Sequence, residues 1–224
     1  MTSIRVLTAN LFNGRADPLE FGKLLDRARP DVIAVQELAP NVAPEIASRF
    51  RFRDLDARLD HLGLGIASRF PATFGVVPMA NRPARFATIQ SRDTTLDLVN
   101  LHLLNPMQFP WWASVRGRTE QISSVVRFLG SRPERPRLVV GDMNASPAWP
   151  AYRRLTQGFD DQVAKTAARN GSRAKPTWAY RDGLPRMLRI DHVFGSGVEP
   201  VSAEVRRVMG SDHAALVVDL DVQG

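Results

Sequence analysis

The first forty residues have a strand–helix–strand pattern, which restricts the fold more than any other feature of the sequence. Apolar runs at residues 4–11 and 31–38 predict two buried strands. Between them, Asp17 and Pro18 are typical of a helix N-cap and first helical position, and Pro30 ends the predicted helix. Because such a crossover joins parallel strands, both strand ends should lie at the same edge of one sheet. The pattern therefore predicts the α/β class.

Apolar runs of strand length recur through the remaining chain, and helical patterns separate some of them. We see no internal linker and no repeat, so we expect a single domain over residues 1–224. Ser146 and Pro147 would begin a short helix as its N-cap and first residue. The sequence predicts strands at 62–68, 73–79, 85–90, 96–103, 138–140, 187–194, 199–208 and 214–222, helices at 43–50, 118–129 and ending near 155, and loops at 111–117 and 165–189.

The chain is strongly basic, with 30 Lys and Arg against 23 Asp and Glu, a net charge of +7 and a pI near 10.8. A positive charge of this size suits a polyanionic partner, either nucleic acid or an anionic lipid surface. Almost all of the cations are Arg, however, and codon bias produces the same excess. The charge favours such a partner without establishing one.

Several classes of protein are disfavoured by what the sequence lacks. The chain has no Cys, which excludes disulfides, thiolate metal sites and cysteine nucleophiles. No apolar run approaches the length of a membrane span, and no basic segment followed by an apolar block opens the chain. We expect a cytoplasmic protein without an integral membrane segment, and a monomer.

Polar residues terminate or interrupt apolar runs that otherwise have no reason to carry them. Buried strands rarely hold acids and histidines unless these side chains are paired or functional. Since several strand ends can meet at one sheet edge, the residues predict a common site there. The residues are Asn10, Glu37, His102, Asp142, Asn144, Asp191, Asp212 and His213.

Asp142 and Asn144 follow the apolar run Leu138 to Val140 with one residue between them. In an extended segment alternate side chains point the same way, so the carboxylate and the carboxamide should face one spot. Taken alone, the segment is also typical of a capped strand-to-helix turn. The polar residues at the other strand ends favour a role in a site.

The polar strand ends resemble, in their order, the motifs of the endonuclease/exonuclease/phosphatase superfamily. The resemblance extends from residue 4 to residue 220. It implies a four-layered αββα sandwich, in which two packed mixed β-sheets are flanked by helices, and divalent-metal-dependent hydrolysis of phosphoesters. The motifs are Asn10, Gln36-Glu37, His102-Leu103, Gly141-Asp142-Met143-Asn144, Ile190-Asp191-His192 and Ser211-Asp212-His213.

The same resemblance implies a metal centre and a hydrolytic group. Glu37 resembles the principal metal ligand, with Asn10 beside it to contact the metal or a phosphate oxygen. The oxygen ligands suit Mg²⁺ or Mn²⁺, and Zn²⁺ is the alternative if the histidines converge. Asp142 would orient or deprotonate the attacking water, and Asn144 would help to hold the phosphate.

The resemblance also assigns the remaining acids and histidines. Asp212 would hold His213 by its ring N–H, and His213 would contact the scissile phosphate. Asp191 would support the leaving group or a second metal. His102 resembles the deoxyribonuclease, sphingomyelinase and phosphatase branches, where it would act as an acid or a phosphate donor. His192 is equally compatible with a structural and a functional role.

Substrate contacts are assigned to aromatic and basic side chains outside these motifs. The candidates are Arg69, Arg116, Arg118, Trp111 and Trp178. Arg69 and Arg118 are also compatible with a purely structural role, and Trp111 with loop packing or a lipid-binding patch. We expect a phosphodiesterase acting on nucleic acid, most readily a DNA endonuclease. The alternative is a phosphoesterase of phospholipids or small molecules.

Overall fold

The computed structural model describes residues 2–91, 94–107 and 111–222, and the side chain of Trp111 lies outside the described part. The elements are β1 (Thr2–Asn10), α1 (Pro18–Ala28), β2 (Val32–Gln36), α2 (Ala43–Ala47), β3 (Phe52–Asp56), β4 (Leu64–Ser68), β5 (Ala72–Val77), β6 (Ala84–Ser91), β7 (Thr94–His102), α3 (Trp111–Gly130), β8 (Arg137–Asp142), α4 (Pro150–Leu155), β9 (Asp160–Asp161), α5 (Gln162–Arg169), β10 (Asp191–Ser196), β11 (Val198–Arg207) and β12 (Ala214–Val222).

The strands form two six-stranded sheets. Sheet A has the order β11-β12-β1-β2-β4-β3, and sheet B has the order β5-β6-β7-β8-β10-β9. Each sheet is mixed, because β1 pairs with β2 and β7 pairs with β8 in parallel while the other described pairs are antiparallel. None of the helices in the described residues is long and apolar enough to cross a membrane.

Three apolar clusters hold the layers together. The first packs the inner faces of the two sheets against each other, with Val6 and Ile66 from sheet A and Leu98 and Val140 from sheet B. The second covers the outer face of sheet A with α1 and α2. The third packs α3 and α4 on the outer face of sheet B. The predicted αββα sandwich is confirmed.

Local sequence signals explain where α1 begins and ends. The Asp17 side chain accepts a hydrogen bond from the Glu20 backbone N–H at 3.0 Å, and Pro18 is the first helical residue. The helix ends at Arg29, which adopts a left-handed φ of 47°. The predicted helix start and stop are confirmed.

Other local predictions are wrong. Residues 111–117 are the first turns of α3 and not a loop, and α5 continues to Arg169 inside the segment predicted to be a loop. In α3 the Ser114 hydroxyl donates to the Asn105 carbonyl at 2.7 Å, a tertiary contact that the local sequence does not reveal. The helix α4 begins at Pro150 with Trp149 as N-cap, so Ser146 and Pro147 do not begin it.

The fold brings the predicted residues to one end of the sandwich. Asn10 pairs with Gln36 across the parallel strands β1 and β2, which places Glu37 immediately beyond. Asp142 lies opposite both His102 and Asp191 in sheet B. Below this end, the Gln36 amide donates to the Asn100 side-chain oxygen at 2.6 Å, and this buried bond joins the two sheets. The register of the strands therefore determines the geometry of the site.

Candidate active site

A cavity of about 640 Å³ opens where these strand ends meet. Its volume falls in the range of roughly 300–1,000 Å³ that is usual for sites binding small organic groups. Six of the eight predicted strand-end residues line the cavity. The other two, Asn10 and Asp191, lie behind its wall and hydrogen-bond to residues that line it. The residues that line the cavity include Phe12, Glu37, His61, Arg82, His102, Met107, Asp142, Asn144, Trp149, Trp178, Leu188, Asp212 and His213.

His213 is held by Asp191 and not by Asp212, which corrects the expected pairing. Its Nδ1 lies 2.9 Å from Asp191 Oδ2, whereas its Nε2 lies 4.0 Å from Asp212 Oδ1. Burial alone would lower the pKa of His213, but the charges of Asp191 and Asp142 outweigh it and raise that pKa to about 10. His213 is therefore a cation at neutral pH, with Nε2 directed to the cavity 3.8 Å from Asp142 Oδ2.

Asp212 is bound by a different neighbour. The Trp178 indole N–H donates to Asp212 Oδ2 at 3.1 Å, and Oδ1 is buried without a hydrogen-bond partner among the described residues. Burial raises the pKa of Asp212, while the Trp178 bond and the His213 charge oppose that rise. The carboxylate thus keeps one oxygen available for a cation or a substrate donor.

Asn10 connects two carboxylates. Its Nδ2 donates to Glu37 Oε1 at 3.1 Å and to Asp142 Oδ2 at 3.0 Å, and its Oδ1 accepts the Phe12 backbone N–H at 2.9 Å. A backbone N–H can only donate, so this bond fixes which end of the amide faces the acids. Asn10 therefore presents its NH₂ group to the acids, and of its two expected contacts, a metal or a phosphate oxygen, this orientation favours the phosphate oxygen.

Burial raises the pKa of both carboxyl groups that Asn10 joins. The raised pKa of Glu37 is opposed by the Asn10 hydrogen bond, and the raised pKa of Asp142 is opposed by the nearby His213 cation. A bound cation would relieve the same cost, since it stabilises the charged form of each acid.

His102 differs from His213 in charge. Its Nε2 lies 3.5 Å from Asp142 Oδ2 and 3.8 Å from Glu37 Oε1. Burial holds the pKa of His102 well below its usual value, and the Arg82 and His213 cations lower it further. His102 is therefore a neutral imidazole at pH 7, which can donate a hydrogen bond but cannot serve as a strong acid.

The position of Asn144 at the cavity depends on a backbone conformation that the sequence does not reveal. It adopts a left-handed φ of 45°, so the segment after Asp142 is not extended. Its backbone N–H donates to Asp142 Oδ1 at 2.8 Å, and its amide donates to the Leu103 carbonyl at 3.1 Å. Asn144 fixes the Asp142 carboxylate and anchors the segment that follows β7.

Arg82 is a cavity residue that the sequence analysis missed. It lies between β5 and β6, is 6% exposed, and donates from Nη1 to the Leu103 carbonyl at 3.3 Å. Burial lowers the pKa of Arg82, and the nearby Asp142 and Glu37 carboxylates oppose this. A single Arg in an Arg-rich chain gives no sequence signal. His61 also lines the cavity.

The candidate substrate residues have different positions. Trp178 lines the cavity, but Arg118 is only 1% exposed and donates to the Leu104 carbonyl. Arg69 donates to the Pro30 carbonyl at the opposite end of sheet A, and the exposed Arg116 pairs with Glu120. These three arginines therefore do not line the cavity. The side chain of Trp111 lies outside the described residues.

His192 has a structural position. Its Nε2 lies 2.9 Å from the Ala145 carbonyl oxygen, and its Nδ1 lies 3.3 Å from Asp161 Oδ2. The same carboxylate oxygen accepts hydrogen bonds from Arg189 at 2.5 Å and from the Tyr152 hydroxyl at 2.9 Å. Both ring nitrogens are engaged by buried protein groups, and His192 is not among the described residues that line the cavity.

The residues present fit a divalent cation. Asp142, Asp191 and His213 form a buried group in which one polar atom from each lies within 4.8 Å of the others, and its two carboxylates are the potential ligands because His213 is protonated. Glu37 and the unpartnered Asp212 Oδ1 add carboxylate oxygens at the same cavity. Carboxylate-rich sites of this kind suit hard cations such as Mg²⁺ and Mn²⁺.

The comparisons with known proteins identify the family of the chain. The model of the endonuclease/exonuclease/phosphatase family matches residues 7–213, and the chain belongs to that family. Members of the family are generally metal-dependent hydrolases acting on phosphoester bonds. No curated protein gives a significant match.

Solved structures show the same fold. An endonuclease/exonuclease/phosphatase protein from Beutenbergia cavernae superposes with a TM-score of 0.76 at 21% identity, covering 100% of this chain and 72% of the other. A humanized D. rerio TDP2 gives 0.78 at 17% identity, covering 98% and 99%. D. rerio TDP2 complexed with a single-strand DNA product gives 0.76 at 15% identity, covering 99% and 100%.

Proposed function

We propose that the protein is a divalent-metal-dependent phosphodiesterase that hydrolyses nucleic acid, with DNA as the substrate. The observation that carries this proposal is the convergence of Glu37, Asp142 and Asp212 with the His213 cation in one cavity. The similarity to TDP2 bound to a single-strand DNA product and the net charge of +7 support a nucleic acid as the substrate.

The metal would be held by Glu37 with help from Asp142 or Asp212, and when bound it would neutralise phosphoryl charge and polarise water. Asp142, oriented by Asn10 and the Asn144 N–H, is placed to accept a proton from the attacking water. His213, held by Asp191, donates from Nε2 to a phosphoryl oxygen.

The remaining cavity residues stabilise charge around the phosphate. The neutral His102 can donate a hydrogen bond, and the Arg82 guanidinium is the one Arg side chain lining the cavity among the described residues. Both lie near the acids that hold the water and the metal, and so both are placed to contact phosphoryl oxygens. Arg is well suited to this because its planar donors match phosphate geometry.

Cleavage of a supercoiled plasmid and of labelled oligonucleotides tests the proposal. We expect products with Mg²⁺ or Mn²⁺, none with EDTA, and none for Asp142→Ala. The variant Glu120→Ala, which alters an exposed acid on α3, serves as the control and should cleave normally. Equal activity of wild type and Asp142→Ala would contradict the site assignment. Failure to cleave any nucleic acid would contradict the assigned substrate.

A second candidate, phospholipid hydrolysis, is favoured by the mouth of the cavity. Met107 is 87% exposed, Met187 61% and Leu188 46%, and Met107 and Leu188 line the cavity itself. Exposed apolar side chains beside a basic loop are typical of surfaces that contact lipid. Release of a phosphorylated headgroup from phospholipid vesicles, without cleavage of nucleic acid, would favour this function over the first.

A further inference from the structure

We propose that two aromatic rings in the cavity wall, Phe12 and Trp149, stack on an unpaired base next to the scissile phosphate, so that the enzyme selects single strands. This inference rests on the proposed function and adds the form of nucleic acid that the site accepts. It depends on three features: the position of the rings, the cations behind them and the size of the cavity.

Each ring is fixed by a guanidinium. Arg15 lies 4.6 Å from the centroid of Phe12, and Arg118 lies 4.7 Å from that of Trp149. A cation over an aromatic face attracts the ring and limits its movement. Both residues line the cavity, so a bound base can reach their rings.

The two rings come from different sheets. Phe12 follows β1 of sheet A, and Trp149 follows β8 of sheet B. The same two strands carry Asn10 and Asp142, which hydrogen-bond to each other. The rings are thus attached to the strands that hold the hydrolytic group, and a base stacked on them lies beside the reacting phosphate.

Arg118 is buried and forms no ion pair among the described residues. It donates to the Leu104 carbonyl at 3.1 Å and to the Ser114 hydroxyl at 2.9 Å, while its Nε and Nη2 are buried without hydrogen bonds among the described residues. Burying polar groups without partners costs free energy. The Arg118 guanidinium contacts the Trp149 ring, and we infer that this contact holds the ring in the cavity wall.

Stacking on a cavity ring requires an unpaired base. In a duplex both faces of each base are covered by neighbouring bases, so a protein ring reaches a base face only when the base is unstacked. A cavity of about 640 Å³ has room for one nucleotide-sized group beside the rings. Stacking on a ring does not depend on base identity, so single strands of any sequence should bind.

The variant Phe12→Leu removes the ring while keeping an apolar side chain. Phe52→Leu is the matched control, because Phe52 also lies under a guanidinium, that of Arg51 at 5.4 Å, but is in β3 and not in the cavity. The substrates are an oligothymidine, its complementary duplex, and the same single strand with an abasic residue beside the cleaved bond. Thermal unfolding identifies any loss caused by misfolding.

We expect wild type to cleave the single strand faster than the duplex, and Phe12→Leu to raise KM for the single strand about five- to tenfold, near the lower end of stacking effects. The loss should shrink on the abasic strand, where no base meets the ring, and Phe52→Leu should match wild type. An equal loss on both strands, or a preference for the duplex, would overturn the inference.

Binding separates this inference from the proposed function. Fluorescence anisotropy of labelled oligothymidine with Asp142→Asn, with and without Phe12→Leu, reports stacking even if no nucleic acid is cleaved. Weaker binding only to the base-bearing strand supports the rings as a base platform. Tighter binding to anionic phospholipid vesicles than to oligothymidine, unaffected by Phe12→Leu, overturns it in favour of a lipid surface.

Discussion

Two aspartate–histidine pairs, His213–Asp191 and His192–Asp161, have similar contacts but different surroundings. Asp191 and His192 are consecutive residues of β10, so their side chains point to opposite faces of sheet B. Asp191 points inward and meets His213, which directly precedes β12 of sheet A, at the cavity, whereas His192 points outward and packs beside Tyr152 and Phe194. One step along a strand therefore separates the partner of a cavity histidine from a histidine that is enclosed by protein.

The two pairs differ in the hydrogen-bond partners of the histidine ring nitrogens. His192 has protein partners on both ring nitrogens, and Asp161 also binds Arg189 and Tyr152. Within the part of the chain that the structure describes, His213 has a hydrogen-bond partner at Nδ1 alone, and its Nε2 faces a cavity with further carboxylates. A histidine with both ring nitrogens bound to protein groups stabilises the fold. A histidine with one ring nitrogen directed to a cavity can contact a ligand.

The largest effect should come from breaking the structural pair. Asp161→Ala leaves Arg189 buried without its charge partner, and removing one partner of a buried pair costs about 3–5 kcal/mol in the free energy of unfolding. Urea denaturation measures this loss. The neighbouring Asp160→Ala is the control, since its exposed pair with Lys165 should contribute less than about 1 kcal/mol. Equal losses for the two variants would mean that the Asp161 network is not structural.

Breaking the cavity pair should affect activity. His213→Ala and Asp191→Asn should each lower kcat/KM by about 10²–10³-fold, the usual cost of losing a charged donor to the reacting phosphate. The double variant should lose little more than either single one, because the residues act as a unit. Kinetics on an oligonucleotide, with circular dichroism to verify folding, test this. A larger loss for Asp212→Asn than for Asp191→Asn would restore the pairing that the sequence suggested.

The pairs should also differ in how they respond to pH. Burial alone would raise the pKa of Asp161, but His192 and Arg189 hold it below its usual value. Its stabilisation is therefore present above the unfolded pKa of about 3.9 and is lost as pH falls below that. The pKa of His213 is raised to about 10, so its stabilisation is complete below about pH 6.5 and is lost as pH rises through 10.

Urea midpoints of wild type, Asp161→Asn and His213→Asn in EDTA across pH 3–10 measure both effects. The difference in urea midpoint between wild type and Asp161→Asn should shrink at the acidic end, and the difference between wild type and His213→Asn should shrink at the alkaline end. A His213→Asn difference that grows with pH would show that this histidine is neutral when the protein is folded.

The sequence predicted which strand ends carry the site because polar residues at the ends of apolar runs are visible without any structure. It did not predict which carboxylate holds His213. Asp212 is adjacent in the chain, whereas Asp191 belongs to the other sheet and meets His213 only when the two sheets pack. The sequence left Arg118 with two possible roles, substrate contact or structural support, and its burial depends on how α3 meets Leu104, which only the packed structure shows.

The smallest effect should come from Trp178, which holds the acid that was expected to pair with His213. Trp178→Phe keeps a ring in the cavity wall but removes the indole N–H that donates to Asp212 Oδ2 at 3.1 Å. One such hydrogen bond contributes about 1 kcal/mol, so kcat/KM should fall roughly fivefold. Because the bond lowers the pKa of Asp212, its loss should also make Asp212 easier to protonate and shift the acidic limb of the pH–rate profile upward. An unchanged acidic limb with a fivefold loss would mean that Trp178 acts on the substrate and not through Asp212.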